Sequence, residues 1–126
     1  MSYLLDSNIL IDYLRGDKKI AEFLYNLEKT NANILISVIT EYELLCGKDV
    51  NSPIKSQKMS ELLSLFPPVD VNSEIIKISV KFYRNYNSGI ADAIIAGTAF
   101  YTNSTLITRN TKHFINIKEI KTESVG

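Results

Sequence analysis

Tyr3-Leu4-Leu5-Asp6-Ser7-Asn8-Ile9-Leu10-Ile11 is the stretch on which the fold turns. Its first three residues form an apolar run without polar alternation, suited to a strand buried on both faces. Asp6-Ser7-Asn8 then supplies residue types that start helices. Ile9, Ile11, Tyr13 and Leu14 carry the helix toward Gly16, a C-terminal stop. A buried strand that runs directly into a helix is the unit from which parallel sheets are built.

The same alternation recurs along the chain. A second helix is expected over residues 17–28, with Ile20, Phe23, Leu24 and Leu27 at helical spacing. Asn31-Ala32-Asn33 reads as a turn and Ile34-Leu35-Ile36-Ser37-Val38 as the next buried strand. Residues 40–46 read as a helix stopped by Gly47. Pro53 opens another, with Met59, Leu62, Leu63 and Phe66 as its stripe up to Pro67-Pro68. Val69-Asp70-Val71 is a short strand. Asn72 or Ser73 caps a helix through about Tyr86, with Ile75, Ile78, Phe82 and Tyr86 on one face. Beyond Gly89, residues 91–99 form a helix of small side chains able to lie close against a sheet. Thr105-Leu106-Ile107-Thr108 is a further buried strand, and residues 117–120 are expected as the last, at the edge. The class is therefore α/β with a central, mainly parallel sheet and right-handed crossovers. Ligand chemistry in such sheets gathers at the carboxyl ends of the strands.

Composition narrows the function classes. The 126 residues suit a single domain, 1–126, with no internal repeat or linker. One cysteine, Cys46, rules out an internal disulfide and fits a reducing, cytoplasmic setting. No apolar run approaches the ~20 residues of a membrane span, and the N-terminus lacks the basic and apolar regions of a secretory signal. Lys plus Arg number 14 and Asp plus Glu number 14, so the net charge is zero. A nucleic-acid partner must then be attracted locally. Ile, Lys and Asn are heavily used, which suggests a genomic bias and lowers the weight of any one Asn.

The strand ends carry the chemistry. Asp6 closes the first strand, Glu41 and Glu43 follow the second, Asp92 stands in the first turn of the small-residue helix, and Asn110 follows Arg109 beyond the 105–108 strand. Carboxylates gathered in one concave site repel one another. A hard divalent cation, which takes oxygen ligands, offsets that repulsion. Each acid also has a local explanation. Asp6 serves equally as an N-cap. Thr40-x-x-Glu43 fits a capping box. Glu41 and Asp92 complement helix dipoles. Asp92 is the hardest to dismiss, because Ala91, Ala93 and Ala96 around it read as buried, where an uncompensated charge is costly.

Four segments in register resemble the PIN-domain ribonucleases. They are residues 4–12, opening Leu4-Leu5-Asp6-Ser7-Asn8; residues 37–47, with Glu41-Tyr42-Glu43-Leu44-Leu45-Cys46-Gly47; Ile90-Ala91-Asp92-Ala93-Ile94-Ile95-Ala96; and Leu106-Ile107-Thr108-Arg109-Asn110-Thr111-Lys112-His113-Phe114. Their order and spacing are similar to those of VapC-type toxins of toxin–antitoxin pairs, over residues 3 to 115. The resemblance implies a three-layer α/β/α sandwich and a Mg²⁺- or Mn²⁺-dependent endoribonuclease. It also implies an RNA substrate, a cognate antitoxin protein and a homodimer. It places Asp6, Glu43, Asp92 and Asn110 as catalytic residues, the three acids also as metal ligands, with Glu43 rather than Glu41 at the family position. Asn110 stands where the family often has a fourth acid, so a second metal ion is in question. Ser7, Asn8, Thr108 and Arg109 are expected to position substrate.

Two other readings compete. A phosphoaspartyl phosphatase also begins with a strand-end aspartate, but it needs a second Asp where this chain has Asn8. A PIN-like module that binds RNA or protein without cutting would make the acids structural caps. His113, the single histidine, reads as a surface residue without a partner, and Cys46 as packing. Lys77, Lys81 and Arg84 share a helix face that either tracks RNA or is simply solvated.

Overall fold

The computed structural model describes residues 1–47 and 50–125. Twelve elements alternate much as the apolar runs predict. They are β1 (Ser2–Leu5), α1 (Ser7–Leu14), α2 (Lys18–Lys29), β2 (Asn33–Ser37), α3 (Val38–Cys46) and α4 (Pro53–Leu63). After these come β3 (Pro68–Val69), α5 (Ser73–Tyr86), α6 (Ile90–Tyr101), β4 (Thr105–Ile107), a 3-10 turn (Thr111–His113) and β5 (Lys121–Glu123).

The five strands form one parallel sheet in the order β3-β2-β1-β4-β5. The chain moves outward from β1 through β2 to β3, then returns across β1 to lay β4 on its other side. The strand order thus reverses between β1 and β4, the place where sheets of this kind open a crevice for ligands. Leu5 pairs with Ile107, so the residues that follow, Asp6 and Thr108, leave the sheet side by side.

Alternation along the central strands splits the core in two. Leu5 and Ile107 face one side with Ile9, Leu10, Ile20, Ile36, Leu44 and Met59. Leu4 and Leu106 face the other with Phe82, Ile95, Ala96, Phe114 and Ile117. Helices α1 to α4 cover the first face and α5 with α6 the second, which is the expected three-layer sandwich. On α6 the small residues serve close packing: Ala93, Ala96, Gly97 and Ala99 are all buried.

Three local expectations change. β2 ends at Ser37, and Val38 already belongs to α3. The cap of α3 is Ser37, whose Oγ accepts the Ile39 N–H at 3.1 Å. The Thr40–Glu43 capping box therefore does not form, and Thr40 lies fully buried inside the helix. Residues 117–120 are not a strand. Ile117 and Ile120 close successive turns through Phe114 O and Ile117 O, and Ile117 is 2% exposed in the core. The edge strand comes just after, as the polar Lys121–Glu123. Edge strands gain from charge, which keeps other chains from adding to them, and so an apolar signal points to the wrong residues.

Asparagine is not mere background. Asn31, Asn87 and Asn103 take the left-handed conformation, at φ of 57°, 51° and 51°, where α2, α5 and α6 end. Asn tolerates that region better than other residues with a Cβ.

Candidate active site

The carboxyl ends of β1 and β4 meet at Asp6, which is 8% exposed. Its two oxygens hold different elements. Oδ1 accepts the Ser7 N–H at 2.8 Å at the start of α1, so the residue does cap its helix. Oδ2 accepts the Thr108 hydroxyl at 2.8 Å, across the strand pair. The same hydroxyl oxygen accepts the Asn110 N–H at 3.0 Å. Its one proton is thereby directed at Asp6, and each carboxylate oxygen keeps a lone pair for a ligand. The capping and active-site readings of Asp6 are compatible.

Electrostatics gather the three acids. Burial raises the Asp6 pKa above its ordinary value, and the charge of Asp92 raises it further. The hydrogen bonds from Thr108 and Ser7 and the nearby His113 oppose that rise. Glu43 sits on the open side of α3. The protein mass around its carboxyl raises its pKa, and the charges of Asp6 and Asp92 add to the effect. Glu43 is thus within electrostatic reach of both aspartates. Glu41 lies elsewhere, along a groove with Leu45, Leu63 and Phe66 between α3 and α4. Asp92 is one third exposed on its side chain, and Ala91 beside it is exposed, so the expected buried surroundings are only half present.

The polar residues expected to position substrate divide in their roles. Thr108 orients Asp6. Ser7 contributes its backbone N–H, and Asn8 Oδ1 accepts the Arg109 N–H at 3.4 Å. Arg109 is already occupied. Its guanidinium lies 2.8 Å from Asp17 Oδ2 and 3.5 Å from Asp12 Oδ2, joining the segment after β4 to α1 and α2. Asp17 also caps α2, and its pKa is lowered first by the Ile20 N–H and then by Arg109. Asn110 enters the network through its backbone, with its side chain exposed to solvent.

One neighbour escapes the sequence reading. His113 Nδ1 lies 3.1 Å from Asp92 Oδ2, so the histidine does have a partner. The usable signal is Phe114. Its apolar ring, now seen buried at 1% exposure, anchors the turn that carries His113.

Among the described residues, no group of three or more His, Cys, Asp or Glu side chains forms a cage that could hold a metal ion on its own. The donor set nevertheless suits a hard cation. It offers carboxylate oxygens that repel one another, one of them desolvated, and Mg²⁺ binds through one or two carboxylates while keeping much of its water. No described helix is long and apolar enough to cross a membrane.

Known proteins share this architecture. Residues 3–120 match the PIN domain. Ribonuclease VapC19 of Mycobacterium tuberculosis is 31% identical over 119 residues, 88% of this chain and 90% of that protein. Ribonuclease VapC1 of Methanocaldococcus jannaschii is 33% identical over 121 residues, 92% of this chain and 81% of that protein. The crystal structure of VapBC2 from Rickettsia felis, bound to a DNA fragment from its promoter, aligns with a TM-score of 0.90 and 26% identity over 100% of both chains. The match over residues 3–120, the sequence identity and the structural similarity agree along nearly the whole length, and the chain belongs to the PIN domain family.

Proposed function

We propose that the chain is a divalent-metal-dependent endoribonuclease, the toxin of a toxin–antitoxin pair, acting in the cytoplasm and restrained by a protein antitoxin. One observation carries the reading. Asp6, at the switch point of a PIN-family sheet, feels the charge of Asp92, and Glu43 feels the charge of both aspartates, although the three are far apart in sequence. The relatives named as ribonucleases, and the toxin–antitoxin complexes among the structural neighbours, support substrate and partner respectively.

Asp6 and Asp92 would hold the ion, with Glu43 completing or supporting its shell. A bound Mg²⁺ or Mn²⁺ acidifies water and stabilises charge on a phosphoryl oxygen. The chain's own groups do the rest. Thr108 keeps the Asp6 carboxylate turned outward from the sheet end. Glu43, on α3 and within electrostatic reach of both aspartates, would accept a proton from the attacking water at its carboxylate. Water oxygen bonds to phosphorus, the bond from phosphorus to the leaving ribose oxygen breaks, and that oxygen takes a proton. No covalent intermediate with the protein is required. Zero net charge fits such a substrate, because the acids are segregated at the site and leave basic residues in modest excess elsewhere.

The test is incubation of purified chain with total RNA in Mg²⁺, in Mn²⁺ and in chelator, beside Asp92→Asn. Cutting is expected with either ion, none in chelator and none by the variant. RNA binding without cutting by the native chain sinks the proposal, and equal cutting by the two proteins removes Asp92 from the site.

A further inference from the structure

We propose that His113 is a positioning residue for Asp92, acting through Nδ1. The short turn that carries it is tightly tied. The His113 N–H donates to Asn110 O at 3.0 Å, and the Phe114 N–H donates to Thr111 O at 3.0 Å. Phe114 is 1% exposed and packs in the core with Leu106 and Ile117. At the other end of the segment, Arg109 is held by Asp12 and Asp17. This rigid piece brings the imidazole to the first turn of α6, with Nδ1 at 3.1 Å from Asp92 Oδ2.

A carboxylate only accepts, so the nitrogen facing it carries the proton, whether or not the ring is charged. The contact turns Asp92 Oδ2 toward His113 and leaves its other oxygen for a ligand. The parallel with Asp6 is close. Thr108 donates to Asp6 Oδ2 at 2.8 Å, and His113 Nδ1 stands 3.1 Å from Asp92 Oδ2, both from one segment. The separation of Thr108 and His113 along that segment then sets how the two aspartates face each other. Groups that orient metal-binding carboxylates commonly change affinity or activity by 10–100-fold when removed. An exposed pair of this type adds little to folding stability, so its effect belongs to the site.

The inference rests on the nuclease reading for its kinetic arm alone. The full chain is compared with His113→Ala, His113→Asn and His113→Gln by Mn²⁺ titration without RNA, by RNA cleavage and by thermal melting. The Asn amide nitrogen falls near Nδ1, and the Gln amide nitrogen near Nε2. His113→Ala is expected to weaken Mn²⁺ binding and cleavage about tenfold with little change in melting. His113→Asn should restore most of both, and His113→Gln should not. Native-like Mn²⁺ binding by His113→Ala overturns the inference. So does failure of His113→Asn to rescue, rescue by His113→Gln instead, or a melting loss large enough to explain the weaker binding. A native chain that binds Mn²⁺ with this variant pattern but does not cut RNA refutes the nuclease reading and leaves the inference standing. One that cuts RNA indifferently to residue 113 does the reverse, and one that neither binds nor cuts removes both.

Discussion

Asp6→Asn should lower RNA cleavage about a thousandfold and at the same time raise the melting temperature at neutral pH. The activity loss follows from the several kcal/mol of charge stabilisation an ion supplies in phosphoryl chemistry, at about 1.4 kcal/mol per tenfold. The stability gain follows from linkage. Burial raises the pKa of Asp6 in the folded chain above its value of 3.8 in the absence of the fold. The fold therefore favours the protonated acid, and the ionised form destabilises it. That cost is absent below pH 3.8, grows as pH rises toward the folded value and is complete above it. Asp17 works in the opposite sense, since its lowered pKa contributes stability that is lost as pH falls through the folded value. The measurement is therefore the difference in melting temperature between native and variant across pH. It should be small near pH 3.5 and should widen in favour of the variant toward pH 7. Millimolar Mg²⁺ should raise the native melting temperature and leave the variant unmoved. The Asn side chain can still accept the Ser7 N–H as a cap. A variant that cuts RNA normally, or that melts below native at pH 7, contradicts this account.

Gly97→Ala should cost about 2 kcal/mol, near 8 °C in melting temperature for a domain of this size. α5 and α6 cross at Gly97. A Cβ there would stand 2.3 Å from Ser79 Oγ, 3.2 Å from Ile75 O and 3.2 Å from the Ser79 backbone N. Ser79 cannot easily turn away, because it is buried and its hydroxyl donates to Ile75 O at 2.7 Å. Overpacking of this kind costs about 1–3 kcal/mol. The 2.3 Å approach puts the cost at the upper end of that range, and the better helix propensity of Ala returns about 1 kcal/mol, which leaves a net of about 2 kcal/mol. Ser79→Ala added to Gly97→Ala removes the closest clash but not the two backbone contacts, and should recover about half of the loss. Because α6 carries Asp92 in its first turn, the single variant should also lose activity before it unfolds. Melting within a degree of native would show that the helices separate at no cost.

Most of the architecture was legible because buried parallel strands announce themselves as apolar runs. Leu4-Leu5, Ile36 and Leu106-Ile107 are all fully buried where such runs predict. The Asp6 position was legible for the same reason, since the end of the run is the end of the strand. What failed had local causes. Thr40 and Ser37 are both good caps, and which one ends the strand depends on pairing of Ser37 with Val69, which local pattern does not report. Ile117 and Ile120 are apolar because they pack under a turn, and β5 is polar because it is an edge. His113 and Arg109 take partners 21 and 92 positions away, Asp92 and Asp17, which only the folded chain brings near. The Asn residues were discounted as a compositional bias, yet three of them end helices in the left-handed region.

The link from Asp6 to Thr108 spans 102 positions, because β1 lies in mid-sheet beside a strand made late in the chain. During synthesis, β1, α1, α2 and β2 leave the ribosome with one side of β1 unpaired, and the Asp6 carboxylate has neither its hydroxyl donor nor Asp92 beside it. A nascent chain that has not reached residue 108 lacks the hydroxyl donor of Asp6 and so cannot complete the proposed nuclease centre. The order of the strands thus makes the proposed centre a late product of synthesis.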